Sequence, residues 1–182
     1  MSTNNAIRSA THYLHEELEE QPFNVKMFEG NQTDEERAVY LMSNIEIFSV
    51  LDLCVDPSIR RLPYLENDLA QLRAFWWAEP SHIAIAYATY LKNVCSDVRA
   101  HIYLNYMGFM YGGQIMKQKY PTTASAYQFE QIVAKRQLVR DRYCETYDAP
   151  LYRPYIDEVK IGFKWHIAIS KDHLEMTSHD MG

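Results

Sequence analysis

The residues best suited to metal chemistry are seven histidines: His12, His15, His82, His101, His166, His173 and His179. A neutral imidazole ligates iron or zinc readily. His12 and His15 stand three apart in a segment of helical periodicity, so they share a face and could form a two-histidine metal pair. No third ligand of matching spacing follows. The carboxylates of the run HEELEE read equally well as a solvated acidic face. The three cysteines, Cys54, Cys95 and Cys144, are odd in number and far apart. They suggest neither a disulfide framework nor a paired-cysteine metal site, and they fit a reducing compartment.

A second feature concerns shape. Gly108, Gly112 and Gly113 crowd three of the chain's six glycines into the helix-forming stretch YLNYMGFMYGGQIMK. Each glycine inside a helix costs about 1 kcal/mol relative to alanine. Glycines at i and i+4 allow two helices to cross tightly. A face without Cβ atoms also lets a flat ligand approach the backbone. The adjacent pair Gly112 and Gly113 predicts a local bend, which favours a softened helix lying over something planar.

The elements that must carry these residues read as helices, and no period-2 strand stands out. The apolar positions Ile7, Ala10, Leu14 and Leu18 predict a helix over 5–21, with Pro22 closing it or starting the next turn. Thr33 followed by Glu36 is a capping-box pattern opening a long helix to about Val55. Further helices are expected over 64–75, over 81–95 with Ser81 as N-cap, over 97–119, over 126–147, and from near Pro154 to about 176. The expectation is an all-α chain of seven or so helices in one domain over 1–182, with about 170–182 as a possible tail. A formal net charge of −6 argues against nucleic acid as a partner. The N-terminus lacks the apolar core of a signal peptide, and no apolar run has the length of a membrane span. A cytoplasmic protein without a membrane anchor is expected.

Two blocks, ATHYLHEELEE and YLNYMGFMYGGQIMK, together resemble the heme oxygenase family. RQLVRDRY and EVKIGFKWHIAI resemble two further segments of that family in the same order, so the resemblance spans nearly the whole chain. It implies an all-α bundle holding heme b between the first helix and a glycine-kinked distal helix. It makes His15 the axial iron ligand. Gly108 and Gly112 would shape the oxygen side, Phe163 would line the pocket, and Arg8, Tyr103, Arg136 and Arg140 would orient the propionates. Heme is then both cofactor and substrate, cleaved with O2 to biliverdin, Fe(II) and CO. No nucleotide-binding fingerprint is present, so the resemblance implies an external reductant: ferredoxin or a flavoprotein reductase, with a bilin reductase as a possible downstream partner. A cytosolic or plastid-stromal setting fits the same family.

One position departs from the family pattern. The residue after the first glycine is typically an aspartate that organises water on the oxygen side, and here it is Phe109. Either another polar group takes over, with Asn105, Tyr106 and Tyr111 nearby, or the protein binds heme without opening the ring, for storage, sensing or peroxidase-like oxidation. A helical relative with a di-metal or other ligand would instead recruit groups such as His12, Glu16, Glu19 and Glu46, whose spacing lacks a repeated Glu-x-x-His motif.

Overall fold

The computed structural model describes residues 3–72 and 77–178, and these form α-helices and short 3₁₀ turns without a strand. The helices are α1 (Thr3–Glu19), α2 (Pro22–Glu29), α3 (Asp34–Leu51), α4 (Leu62–Gln71), α5 (His82–Asn93), α6 (Val98–Tyr111), α7 (Gly113–Lys119), α8 (Ile132–Tyr143) and α9 (Tyr152–Ser178).

Several boundaries follow from local chemistry. Pro22 occupies the first turn of α2, where its missing N–H costs nothing. The capping box of α3 is complete: Glu36 N donates to Thr33 Oγ1 at 3.1 Å and Thr33 N donates to Glu36 Oε2 at 2.8 Å. Ser81 caps α5 by accepting from Ile83 N and Ala84 N.

Other boundaries are set by distant contacts. α3 stops at Leu51 rather than near Val55, because the Asp52 carboxylate accepts from Arg61 N at 2.8 Å and Leu62 N at 2.7 Å. That ties the end of α3 to the start of α4. The helix expected over 64–75 runs Leu62–Gln71, and residues 73–76 lie outside the described residues. The helix expected over 126–147 is shorter. Asp68 accepts from Ser125 N and Ala126 N and pins a 3₁₀ turn there. Gln131 then adopts a left-handed conformation (φ 51°) before α8 begins at Ile132. Residues 170–178, where a tail was expected, continue α9, with Ser170 and His173 buried. His179 lies outside the described residues.

Two apolar clusters form the interior. The larger joins α3 (Leu41, Ile47, Phe48) to α6 (Tyr106, Met110) and α8 (Val139). The smaller joins α1 (Ile7, Leu14) to α9 (Tyr155, Val159, Phe163). Tyr103 of α6 packs on both. The consequence is that α1, α6 and α9 are held together around one region of the molecule.

Candidate cofactor site between α1, α6 and α9

The three clustered glycines stand in three different surroundings. A Cβ built on Gly108 would meet nothing within 4 Å, so this part of α6 presents bare backbone to open space. At Gly112 the same atom would lie 3.3 Å from Gly108 O and 3.9 Å from Phe28 Cε1 of α2. At Gly113 it would stand 2.4 Å from Tyr127 Cδ1, which no side chain tolerates. Gly113 therefore serves tight packing, and Gly108 serves an open face. The helix also breaks here: α6 ends at Tyr111, and α7 restarts at Gly113.

His15 lies on α1 with its side chain 57% exposed. Its ring sits 5.9 Å from the ring of Phe163, edge-on at 61°. Glu19 Oε1 stands 3.4 Å from His15 Nδ1, which favours the proton on Nδ1 and leaves Nε2 as a lone pair for a metal. Nothing in the motif marks Glu19 as that partner, although its i+4 spacing from His15 could have. Arg8 is exposed on α1, seven residues before His15 and so on the same helical face about two turns away. His12 pairs with Glu16 at 3.3 Å. Among the described residues no three His, Cys, Asp or Glu side chains come together as a metal-holding group.

The basic residues of α8 meet the end of α6. Arg136 Nη2 donates to Met110 O, and its guanidinium lies 3.8 Å over the Tyr111 ring. Arg140 Nη2 donates to Tyr111 Oη at 2.5 Å. Burial raises the pKa of Tyr103, and the Arg140 charge pulls in the opposite direction, so these two side chains are electrostatic neighbours. Arg136 Nε and Arg140 Nε are buried and unpartnered. Tyr111 therefore anchors both arginines, a role that the sequence reading missed. Arg8 makes no contact with this group among the described hydrogen bonds and ion pairs.

Phe109 faces away from the open side of α6. Its ring lies 4.6 Å from Phe48 and 4.7 Å from Tyr127 in a buried aromatic stack. The tyrosine hydroxyls offered as substitutes for the aspartate have partners of their own. Tyr106 donates to the Asp52 carboxylate, and Tyr111 accepts from Arg140. Asn105 is buried and engaged at both ends of its amide. Nδ2 donates to His101 O at 2.8 Å and to Tyr87 Oη at 3.2 Å, while Oδ1 lies 3.0 Å from His166 Nε2.

Asn105 belongs to a buried polar chain crossing α5, α6 and α9. Tyr87 Oη pairs with His101 Nδ1 at 2.8 Å, and His101 Nε2 with Glu158 Oε2 at 2.9 Å. Glu158 also accepts from Tyr90 Oη, Ser96 Oγ and Ser96 N. Burial alone would raise its pKa; the hydrogen bonds from Ser96, His101 and Tyr90 outweigh burial and hold it below the usual carboxylate range. Burial lowers the pKa of His101. The sequence reading named Asn105 and counted His101 among the histidines, but it did not link them or find Tyr87, Tyr90, Ser96 and Glu158; the i, i+4 pair His101–Asn105 was the available signal. Elsewhere, an open depression of about 560 Å³ flanks the first turns of α9, lined by Tyr147, Tyr152, Arg153, Ile156 and Lys160, and includes neither His15 nor the glycine face.

Comparison with known proteins speaks to the fold and the family. The heme oxygenase family model matches residues 1–160. No curated protein sequence matches the chain. Heme oxygenase-1 from the cyanobacterium Synechocystis, solved in complex with heme, superposes with a TM-score of 0.82 at 17% identity over 97% of this chain and 93% of that one. Heme oxygenase-2 from the same organism, solved with heme and NO, gives 0.84 at 18% identity over 100% and 89%. Heme oxygenase from Leptospira interrogans gives 0.80 at 19% identity over 94% and 100%. At such identities the superpositions speak for the fold, and the match over 160 of 182 residues speaks for the family: the chain belongs to the heme oxygenases.

Proposed function

We propose that this protein binds heme b through His15 and cleaves it, with O2 and electrons from an external donor, to biliverdin, Fe(II) and CO. The observation that carries this reading is the pairing of His15 and Phe163 on one side with the bare backbone of Gly108 on another, inside a heme oxygenase fold. The donor set fits the group. His15 Nε2 is a free imidazole lone pair, Phe163 supplies an apolar wall, and a missing Cβ leaves room for a flat ring. Arg136 and Arg140 would supply guanidinium charge for the propionates, with Tyr103 and Arg8 as further contributors.

Bound heme supplies the redox-active iron and is itself the carbon skeleton consumed. The chain's own residues do the rest. Glu19 fixes the His15 tautomer. Gly108 and Gly112 set how closely the distal backbone approaches. Arg136 and Arg140 would hold the propionates and so would choose the edge that is cleaved. Electrons come from ferredoxin or a flavoprotein reductase, for which the cations of α8, Lys135, Arg136, Arg140 and Arg142, are the candidate docking surface.

A second reading, heme binding without ring opening, is favoured by one observation: position 109 contributes an aromatic ring to the core instead of a carboxylate to the site. Hemin titration followed by single-turnover absorbance under an electron supply separates the two. Replacement of the Soret band by a biliverdin band supports cleavage. A Soret band stable through reduction in air supports binding alone.

A further inference from the structure

The hydrogen-bond directions in the buried chain are fixed by chemistry. His101 O is a carbonyl and can only accept, so the Asn105 amide must turn Nδ2 toward it. Oδ1 therefore faces His166, and a carbonyl oxygen needs a donor, so His166 carries its proton on Nε2. The rest of the chain agrees. Glu158 is a carboxylate and takes the Nε2–H of His101, which leaves His101 Nδ1 to accept from the Tyr87 hydroxyl. Tyr87 accepts in turn from Asn105 Nδ2. Every link runs one way, from His166 to Glu158.

The consequence falls on the other nitrogen. Burial lowers the His166 pKa to about 4, so the ring is neutral and Nδ1 is a bare lone pair. Among the described hydrogen bonds none reaches Nδ1, and the residue as a whole is half-buried. Its position is specific. His166 is one turn along α9 from Phe163, whose ring meets His15. It bonds to Asn105, one turn along α6 from the open face of Gly108.

From this juxtaposition, and resting on the heme-binding reading above, we infer that His166 is the distal-side hydrogen-bonding residue of this protein. Its Nδ1 accepts one O–H of a water molecule, whose other O–H points to the ligand side of the site. Asn105, Tyr87, His101 and Glu158 are positioning residues that hold the tautomer. Reduction of O2 consumes protons; the water held on Nδ1 presents its other O–H to pass one on, and the hydroxide left behind regains its proton from solvent, because His166 Nδ1 has none to give. The group missing at position 109 is thereby supplied from a different helix.

The test uses the hemin-loaded protein and His166→Leu, His166→Phe and His166→Gln. Glutamine can donate to Asn105 and accept from water; leucine and phenylalanine can do neither. The inference expects all three to take up one hemin with affinity within about threefold of the parent. It expects the ferric Soret band of the apolar variants to shift to shorter wavelength as the distal water is lost, and the glutamine variant to keep the parent spectrum. Single-turnover cleavage should fall at least about tenfold in the apolar variants and recover partly in the glutamine one. Long-range ¹H–¹⁵N spectra of the apoprotein should show His166 as the neutral Nε2–H tautomer at pH 6.

An unchanged Soret band and rate in both apolar variants would overturn the inference while leaving the heme oxygenase reading intact. A low-spin parent spectrum that becomes high-spin on His166→Leu would overturn it differently, making His166 an iron ligand. If the parent binds hemin without opening the ring, the Soret comparison and the tautomer still decide the role of His166.

Discussion

At Gly108 and Gly113 the same substitution has opposite consequences. Gly108→Ala adds a Cβ into open space and replaces a poor helix former, so the apoprotein should gain about 0.5–1 kcal/mol of stability. Hemin affinity should fall, because that space is the proposed approach to the porphyrin. Gly113→Ala drives a Cβ into the Tyr127 ring and should lose about 1–3 kcal/mol. Denaturant melts with and without hemin read both. Phe109→Asp tests whether the usual carboxylate can be restored. It would bury a charge between Phe48 and Tyr127 and leave a cavity, so a loss of more than about 3 kcal/mol is expected, without a gain in turnover. A stable, faster Phe109→Asp protein would show that position 109 still reaches the oxygen side.

Helix starts that rest on local signals were legible in the sequence, namely the Thr33–Glu36 box and the Ser81 cap, while the single helix expected over 97–119 is interrupted at Gly112, where a local bend was expected. The ends that were not legible depend on distant partners. Asp52 cuts α3 short by binding the start of α4, and Asp68 converts residues 125–127 into a 3₁₀ turn. A window along the sequence cannot see either contact. The same distinction holds for the site. His15, Phe163, Tyr103 and the two arginines were expected from motif order, whereas the contacts of Tyr111 with the arginines and of His166 with Asn105 follow from the packing of α6 against α8 and α9. That packing leans on Gly162, where a Cβ would come within 2.6 Å of Leu104 Cδ2 and 3.1 Å of His101 Nδ1. Glu158 ties α9 to α5 and α6 by accepting four hydrogen bonds. Glu158→Leu should leave buried donors unmatched, at about 1–3 kcal/mol each. A thermal midpoint unchanged from the parent would contradict that role.

The whole molecule carries a pH dependence written by its buried histidines. Burial lowers the pKa of His173 to about 3 and of His166 to about 4, against roughly 6.5 in an unfolded chain. Both are neutral in the fold, so their stabilising effect is complete above about pH 6.5. It is lost as the pH falls from there toward the folded values, because the unfolded state takes up protons first. Glu158, with its lowered pKa, adds a loss of the same sign at still lower pH. Denaturant midpoints should therefore be flat from pH 8 to 7 and fall progressively from pH 6 to 4.5. Each histidine held neutral in the fold contributes a slope approaching about 1.4 kcal/mol per pH unit. His173→Asn should flatten the curve, and an acid limb unchanged in that variant would assign the loss to other groups.

No described helix is long and apolar enough to cross a membrane, and the fold, family and open glycine face converge on one ligand class. The measurement that tests the central claim most directly is single-turnover absorbance of the hemin-loaded protein. It is supplied with electrons from ferredoxin and its reductase in air, with catalase present to remove free peroxide. Decay of the Soret band with growth of a biliverdin band, abolished in His15→Ala, is the result expected. A Soret band that persists unchanged through reduction and exposure to oxygen would contradict it, leaving a heme-binding protein whose aromatic core at position 109 has replaced the chemistry of ring opening.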